Sequence, residues 1–323
     1  MAKIIHTVIV VSYNHEDYIS KALDSILLGS RIADQIIIVD DCSTDSTFNI
    51  IKKYQERYPL IIEATQNLRN LGIFENLNKI YDRSVRGNII SFLGGDDYYD
   101  KSLLSEIDIG LNKAKINPNY DSFMTLPNVA NLFIDGSIQN LKNTIYNASN
   151  KSTPFQLALR GKLYSMHVGI SISLYRNWAR FPKNAMRDVG LYADLPHYLD
   201  NVKACKLFIP IEAATTYHRV GVGATSISHL LSPQESRYRA LMLIKKRFSV
   251  NLNLSDKVYI YFIMAIDSIY FSKTLFGFLK CLMLLPVGIL IDGVDRRQYL
   301  KTIKTLFVDA TKKIQFFFRN YFL

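Results

Sequence analysis

The sequence predicts an α/β protein that is built on a mostly parallel central sheet and ends in a helical C-terminal region. Three observations support this fold class. Short apolar runs that are typical of buried strands alternate with segments whose apolar residues recur at helical spacing. Polar residues follow directly after several of the apolar runs. Past residue 230 the alternation gives way to basic and apolar segments, so we place one domain at residues 1–230 and a second region at 231–323.

The alternation starts near the N-terminus. Four apolar runs predict buried strands, at residues 5–11, 36–39, 60–62 and 88–93. The first helix that follows a strand has a single apolar face, with Asn14 as its expected cap; the face consists of Ile19, Ala22, Leu23, Ile26 and Leu27. Strands that are joined by helices form parallel sheets with right-handed crossovers. The carboxyl ends of the strands therefore meet at one edge, where such sheets bind ligands.

Polar side chains collect at this edge. Ser12-Tyr13-Asn14 follows the first strand, Asp40-Asp41 ends the second, and Asp96-Asp97 follows the fourth after two glycines. Two adjacent carboxylates at a strand end suit a divalent cation that also binds phosphate, because Mg²⁺ and Mn²⁺ favour oxygen ligands. An ordinary polar turn is the alternative for the Asp-Asp pair. The convergence of the three segments favours a binding site.

Four segments resemble the family-2 glycosyltransferases. They are Val11-Ser12-Tyr13-Asn14, the run from Val39 to Thr47, Asn70-Leu71-Gly72, and the run from Ile90 to Asp97. Their order and spacing are similar to the family pattern across about residues 5–105. The resemblance implies the GT-A fold and the transfer of a sugar from a nucleotide-sugar donor. A dinucleotide-binding Rossmann site is disfavoured, since no G-x-G-x-x-G follows the first strand.

The resemblance also implies roles for individual residues. Asp97 would hold Mn²⁺ or Mg²⁺, and Asp96 would contact the ribose or sugar of the donor. Asp41 would contact the base, commonly uracil, with Tyr13 packed against that base and Asn70 shaping its pocket. Two of these residues have simpler interpretations, because Tyr13 could be a core aromatic residue and Asn70 a turn residue.

The sequence departs from the family pattern at two positions. Gly94 stands where the family often has an Asp, which removes one metal or sugar contact. Ala193 replaces the Glu that usually precedes the catalytic base of the family. The resemblance gives Asp194 the role of that base, which takes the proton of the acceptor hydroxyl in an inverting transfer. Alternatively, Asp194 caps a helix within residues 184–203, a helical segment that we expect to break near Pro196.

A later segment, Tyr217-His218-Arg219, resembles the part of the family that closes over the diphosphate. Arg219 suits phosphate because its guanidinium group donates two parallel hydrogen bonds. His218 could add a metal ligand or be a structural histidine. The surrounding pattern predicts two short strands, at residues 207–209 and 213–219.

The C-terminal region carries most of the net charge. Residues 237–323 contain 15 Lys and Arg against 5 Asp and Glu, which accounts for +10 of the net charge of +11. Residues 299–318 place apolar and basic side chains on opposite sides of a helix, a pattern typical of a membrane interface. A helix that packs on the N-terminal domain is the alternative. Residues 274–291 are almost wholly apolar but short for a membrane span, so we expect a re-entrant or interfacial helix pair.

The composition excludes several classes of protein. A hydrophobic content of 49% is too high for a disordered chain. The three cysteines are far apart and form no metal or disulfide pattern, which favours a reducing, cytosolic setting. The N-terminus runs straight into the first apolar strand, so we expect no signal peptide. No recognised nucleic-acid motif accompanies the basic tail, so nucleic acid is not an expected partner.

Together these observations predict a metal-dependent, inverting glycosyltransferase that lies peripherally at the cytoplasmic face of the inner membrane. Its expected partners are a UDP-linked sugar donor, a glycan or polyprenyl-linked acceptor, and an anionic membrane surface. Synthesis of a surface polysaccharide, such as an O-antigen or capsule, is the expected setting. The alternative is a GT-A-fold protein that binds nucleotide sugars or scaffolds a complex without catalysis, an interpretation that Gly94 and Ala193 keep open.

Overall fold

The structure, a computed structural model, forms two compact units. It describes residues 2–80, 85–141, 154–159, 171–173, 188–192, 194–222, 231–254, 256–257, 259–261, 263–264 and 267. The first unit comprises residues 1–187 and 197–228, and the second comprises 188–196 and 229–323. The domain division after residue 230 stays a prediction.

The first half of the first unit is the parallel α/β region that the sequence predicts. Its strands are β1 (His6–Ser12), β2 (Gln35–Asp40), β3 (Ile62–Gln66) and β4 (Ile89–Gly94), and its helices are α1 (Ile19–Leu27), α2 (Thr47–Arg57) and α3 (Ile73–Ile80). The strands lie in the order β3-β2-β1-β4, and all three pairings are parallel. Strands β1 and β2 are buried along almost their whole length, as expected where both faces of a parallel sheet are covered.

Helix α1 buries its predicted apolar face, but Asn14 does not cap it. The helix follows Tyr18, whose side chain makes no capping hydrogen bond. Asn14 instead has a φ of 54° and accepts a hydrogen bond from the Thr44 amide at 2.9 Å. Because the amide side chain of Asn tolerates the left-handed region, Asn14 turns the chain after β1 and fastens it to the loop after β2.

Further strands extend the sheet and make it mixed. The additional elements of this unit are β5 (Tyr98–Tyr99), α4 (Leu103–Lys113), β6 (Phe123–Phe133), β7 (Ile138–Leu141), α5 (Pro154–Leu159), β8 (Ser171–Ser173) and β9 (Leu207–Val220). In the part of the chain that is described, the strands lie in the order β3-β2-β1-β4-β8-β6-β9-β5, with β7 beside β6. Strand β8 is antiparallel to β4 and β6, whereas β9 is parallel to β6 and antiparallel to β5.

Two expectations about the later elements are wrong. Residues 207–220 form one strand rather than two, and its register against β6 shifts between Pro127 and Asn128. The Asn128 side chain donates to the carbonyl of Glu212 at 2.8 Å, which holds the shifted segment in the sheet. Pro196 does not break the predicted helix, because it lies in the first turn of α6 (Asp194–Ala204), and the helical segment is interrupted before it by a 3₁₀ turn at Gly190–Tyr192. A proline is tolerated there, since backbone N–H groups of the first turn have no acceptor within the helix.

The second unit contains α7 (Pro233–Arg247), which begins with a capping interaction. The Ser232 hydroxyl accepts a hydrogen bond from the Glu235 amide at 3.1 Å. Arg237 on the same helix binds both carboxylate oxygens of Asp267, at 2.9 and 2.5 Å, and the Asp267 side chain is fully buried. This bidentate pair ties α7 to the chain that follows it.

Most of the residues on which the membrane prediction depends are not described by the structure. Within the described residues, no helix has the length and apolar character needed to cross a bilayer. The segments 274–291 and 299–318 lie outside the described residues. The interfacial helix pair therefore stays a prediction.

Candidate functional site

The polar segments that end β1, β2 and β4 meet at one edge of the sheet. The amide of Asp41 donates to the carbonyl of Ser12 at 2.8 Å, and the Ser12 hydroxyl donates to Asp40 at 3.1 Å. The amide of Gly95 donates to the carbonyl of Val11 at 2.9 Å. The two main-chain hydrogen bonds continue the sheet pairing beyond the strands, so the predicted convergence of the three segments is confirmed.

Asp41 organises the loop that precedes α3. Its buried carboxylate accepts hydrogen bonds from the Asn67 side chain at 2.9 Å and from the amides of Leu71 and Gly72 at 2.8 Å each. Gly72 has a φ of +80°, which an L side chain rarely adopts. Asp41 and Gly72 together therefore fix the backbone beside the end of β2.

Asn70 lies in this loop and Tyr13 lies in the loop after β1, and neither belongs to the apolar core. Asn70 is exposed, and its side-chain oxygen accepts from the Gly72 amide at 3.1 Å, which is the behaviour of a turn residue. Tyr13 is half-buried in the loop after β1 and does not belong to the apolar core. The contacts of both residues with a nucleotide stay predictions.

Asp97 lies at the centre of a second cluster, which brings β9 against the end of β4. The exposed fraction of Asp97 is 5%. One of its carboxylate oxygens accepts from the Arg219 amide at 2.8 Å, and His218 Nδ1 lies 3.2 and 3.3 Å from the two oxygens. The Arg219 guanidinium donates to the main-chain carbonyl of Asp96 at 2.8 Å. The structure thus joins Asp96 and Asp97 to two residues that lie more than a hundred positions later in the chain.

Asp96 is buried beside a histidine that the sequence reasoning missed. His15 Nε2 lies 3.9 Å from one Asp96 carboxylate oxygen, and the His15 side chain is buried. Burial and the neighbouring Asp97 carboxylate raise the pKa of Asp96, whereas His15 and His218 oppose that rise. No sequence signal distinguishes His15, because it follows Asn14 outside any recognisable spacing.

The two glycines before Asp96 have different reasons to be small. A Cβ atom on Gly94 would lie 2.7 Å from an oxygen of Asp96 and 3.1 Å from an oxygen of Asp97. Glycine at position 94 therefore leaves room for the carboxylates of Asp96 and Asp97, whereas the family pattern often has a third carboxylate at this position. A Cβ atom on Gly95 would lie 2.8 Å from both His15 Nδ1 and the Cβ of Ser12, so the backbone passes close to the β1 loop.

Next to the carboxylates, an aromatic and basic cluster covers the side of α1. The rings of Tyr98 and Tyr217 are stacked, with centroids 4.5 Å apart and an angle of 9° between their planes. Lys21 Nζ lies 3.8 Å from the Tyr98 centroid, and the Arg219 guanidinium carbon lies 4.8 Å from the Tyr18 centroid. Tyr98 and Tyr217 adjoin residues that the sequence singled out, but Lys21 reads as an ordinary solvated position of α1.

A divalent cation would find two protein ligands here. Asp97 and His218 offer carboxylate oxygens and an imidazole nitrogen within 3.3 Å of each other. The described residues contain no group of three His, Cys, Asp or Glu side chains that could hold a metal ion. A set of two fits Mg²⁺ or Mn²⁺ when phosphate oxygens supply the remaining ligands, because such ions are commonly bound by one or two carboxylates together with a substrate phosphate.

Asp194, the predicted base, belongs to the second unit. It is half-buried and is the first residue of α6. Its position at the start of a helix agrees with the sequence prediction, and its catalytic role stays a prediction.

Comparison with known proteins finds sequence similarity for the N-terminal third of the chain. Residues 7–107 match the family model described as Glycosyl transferase family 2. The poly(ribitol-phosphate) beta-N-acetylglucosaminyltransferase TarS of Staphylococcus aureus is 31% identical over 102 residues, which cover 31% of this chain and 18% of TarS. A poly(ribitol-phosphate) beta-glucosyltransferase of Bacillus spizizenii is 34% identical over 122 residues, which cover 34% of this chain and 19% of that protein. The similarity thus spans about a fifth of the length of these relatives.

Solved structures extend the likeness to most of the chain at the level of the fold. The crystal structure of residues 1–349 of S. aureus TarS has a TM-score of 0.58 and 19% identity, covering 87% of this chain and 79% of that one. The same TarS fragment has been solved with UDP-GlcNAc, at a TM-score of 0.56. The mannosyltransferase PcManGT of Pyrobaculum calidifontis, in complex with GDP-Man and Mn²⁺, has a TM-score of 0.53 and 14% identity, covering 95% of this chain and 81% of that one. The architecture is the GT-A fold, as the sequence predicts.

Proposed function

We propose that the protein transfers a sugar from a nucleotide-sugar donor to a hydroxyl group of a growing or lipid-linked glycan, because residues 7–107 match the family model described as Glycosyl transferase family 2. One observation carries the proposal. The Asp97 cluster, with His218 and Arg219, lies at the same sheet edge as the loop that Asp41 organises. Such an edge can hold a nucleoside over β2 and its diphosphate beside β4.

The proposed donor is a UDP-linked sugar. Two structural neighbours support nucleotide-sugar binding, since TarS was solved with UDP-GlcNAc and PcManGT with GDP-Man and Mn²⁺. On this chain, the loop fixed by Asp41 would border the base, with Tyr13 and Asn70 beside it. Asp96 would contact the ribose or the sugar of the donor.

The proposed transfer depends on a metal ion that Asp97 and His218 would hold. When bound, Mn²⁺ or Mg²⁺ would neutralise the negative charge that develops on the departing diphosphate. Arg219 would add donors to the phosphate oxygens, because the Asp96 carbonyl engages one nitrogen of its guanidinium group and the group carries further N–H donors. Burial of Asp96 and Asp97 keeps water from screening these charges.

The proposed stereochemical outcome is inversion at the anomeric carbon. In a single displacement, the acceptor oxygen forms the new glycosidic bond on the face opposite the departing diphosphate. Asp194 would take the proton of the acceptor hydroxyl as that bond forms. One carboxylate is sufficient for this task, because no covalent sugar–enzyme bond has to be formed and broken.

We further propose that the acceptor is a polymer of the cell surface, such as an O-antigen or a capsule. The names of TarS and of the B. spizizenii relative describe transfer to poly(ribitol-phosphate), which supports a polymeric acceptor. The proposed location is the cytoplasmic face of the inner membrane, where the basic residues of the C-terminal region would bind anionic lipids.

A panel of UDP- and GDP-linked sugars tests the proposed function. Each donor is incubated with the full chain, with Mn²⁺ or with EDTA, and with lipid-linked glycan extracts as acceptors. We expect one UDP-sugar to give release of UDP that needs both the metal and an acceptor. Tight binding of a UDP-sugar with no transfer to any acceptor would instead favour a non-catalytic nucleotide-sugar-binding or scaffold protein.

A further inference from the structure

Two cations share the aromatic cluster beside Asp97. Lys21 Nζ lies 3.8 Å from the centroid of Tyr98, and the guanidinium carbon of Arg219 lies 5.2 Å from the same centroid. Tyr217 stacks on Tyr98 at 4.5 Å, so it covers one face of that ring. A cation only 3.8 Å from the centroid therefore lies over the other face. The ring thus holds Lys21 in place, with Arg219 nearby.

The two positive charges act on one another. Partial burial lowers the pKa of Lys21, and the positive charge of Arg219 lowers it further. Among the described residues, neither cation forms a salt bridge with a carboxylate, and the Arg219 side chain donates to a main-chain carbonyl instead. Neighbouring cations repel each other, and a bound anion would reduce that repulsion.

We propose that Lys21 and Arg219 together bind a phosphate group beside the stacked rings of Tyr98 and Tyr217. This inference rests on the proposed function, to which it adds Lys21 as a substrate-binding residue. Phosphate fits two separate cations because it carries charge on several oxygens, which Arg219 can bind as a fork and Lys21 as a point charge. The Arg219 amide donates to the Asp97 carboxylate, so a phosphate bound by the Arg219 side chain would lie beside the proposed reaction centre.

The phosphate group has two chemical sources in a sugar transfer. It belongs either to the diphosphate of the donor or to an acceptor that itself carries phosphate. Both present the same oxygens to Lys21, but they differ in the order of binding. A donor phosphate binds in the absence of acceptor, whereas an acceptor phosphate binds to the protein after the nucleotide has occupied its site.

Calorimetry on the full chain in Mg²⁺ distinguishes these sources. The titrants are UDP, uridine and inorganic pyrophosphate, followed by inorganic phosphate titrated into protein that is saturated with UDP. The variants are Lys21→Gln, which removes the charge, and Lys21→Arg, which keeps it. Lys52→Gln is the matched control, because Lys52 lies 4.9 Å from the ring centroid of Phe48 on α2.

If Lys21 binds a phosphate of the donor, we expect Lys21→Gln to weaken the binding of UDP and pyrophosphate about fivefold to tenfold and to leave the affinity for uridine unchanged. For an acceptor phosphate, UDP affinity stays at the wild-type value and binding of inorganic phosphate to the saturated protein is lost. In either case Lys21→Arg restores binding and Lys52→Gln has no effect.

Three results would overturn the inference. They are equal affinities of the wild type and Lys21→Gln for every titrant, an equal loss in Lys52→Gln, and no binding of any phosphate by the wild type. The first result leaves the proposed function standing as long as UDP binds. Pyrophosphate binding that depends on Lys21 in a protein that binds neither uridine nor UDP would keep the inference and contradict the proposed UDP donor.

Discussion

His218 Nδ1 lies 3.2 Å from one carboxylate oxygen of Asp97 and 3.3 Å from the other, although 121 residues separate them in the sequence. The contact joins the turn after β4 to the end of β9. Asp97 is thereby held from two sides, since the Arg219 amide also donates to it. A carboxylate fixed in this way loses little conformational freedom when a ligand binds, which is how preorganised sites gain affinity.

The first prediction concerns the charge of Asp97. In Asp97→Asn, the side-chain oxygen can still accept from the Arg219 amide, so the fold should be retained. We expect Mn²⁺ to produce a gain in UDP affinity in the wild type and no gain in Asp97→Asn, because a neutral amide is a weaker ligand for a hard cation than a carboxylate. Calorimetry with and without Mn²⁺ measures this gain.

Asp135→Asn is the matched control for that experiment, because Asp135 is an exposed carboxylate that accepts from Ser137 at the β6–β7 hairpin. It should leave the effect of Mn²⁺ on UDP affinity unchanged. An undiminished Mn²⁺ effect in Asp97→Asn would rule out Asp97 as the metal ligand.

The second prediction concerns Asp41 as the organiser of the loop before α3. Asp41→Ala removes the acceptor of the Asn67 side chain and of the Leu71 and Gly72 amides. We expect the free energy of unfolding to fall by about 1–3 kcal/mol, because three partly buried donors lose their acceptor. Urea denaturation measures the loss, and UDP affinity should fall in parallel. A variant with full stability and full UDP affinity would contradict this role.

The third prediction separates backbone strain from function at Gly72. Gly72 and Gly136 have φ values of +80° and +82°, and a Cβ atom on either would meet nothing within 4 Å. Alanine at either position should therefore lower stability by the same amount, about 1 kcal/mol, through the backbone alone. Only Gly72→Ala should also weaken UDP binding, since Gly136 lies at the β6–β7 hairpin. Equal UDP affinities of the two variants would place the nucleotide elsewhere.

The sequence was sufficient for the parts of the site that depend on local pattern. Asp41 and Asp97 each follow a buried apolar run, and parallel strands joined by helices bring their carboxyl ends to one edge. The buried face of α1 was also predicted residue by residue, because its period of 3.6 is a local property. The apolar runs that predict the four parallel strands are local patterns as well, and the predicted bounds lie within a few residues of the observed ones.

The remaining contacts depend on pairings that no local pattern encodes. The contact between Asp97 and His218 needs β9 to reach the end of β4, and the register shift opposite Asn128 decides which β9 residues arrive there. The sequence does not single out Lys21, because its ring partner Tyr98 lies on another element. A lysine on a helix such as α1 is usually interpreted as a solvent-exposed residue. Asn14 was misread as a helix cap, since its left-handed φ and its contact with the next loop are tertiary features.

The fourth prediction concerns membrane binding by the C-terminal region. The truncation must start after Asp267, because that residue is the buried partner of Arg237. Removal of residues 274–323 keeps that pair and deletes the apolar and amphipathic segments. We expect the full chain to co-sediment with anionic liposomes at low salt and the shortened chain to stay in the supernatant. A full chain that does not sediment, or that binds RNA in preference, would contradict the membrane proposal.

The last prediction separates an enzyme from a binding protein and concerns Asp194. A general base must reach the acceptor hydroxyl, and its value lies in its basicity rather than in its size. Asn has nearly the same shape as Asp and occupies helix starts about equally well, so Asp194→Asn should spare the first turn of α6. We expect the rate of transfer to fall by about 10²–10⁴-fold, the usual contribution of a positioned base.

The control for this loss is a carboxylate of the same unit with no proposed role. Asp188 is exposed and lies six residues before Asp194, so Asp188→Asn should transfer at the wild-type rate. UDP affinity and melting temperature should be unchanged in both variants, because the proposed donor contacts belong to Asp41 and Asp97 in the other unit. If Asp194→Asn keeps the wild-type rate, another group must accept the proton. If its UDP affinity falls as much as its rate, Asp194 acts in binding the donor rather than in proton transfer.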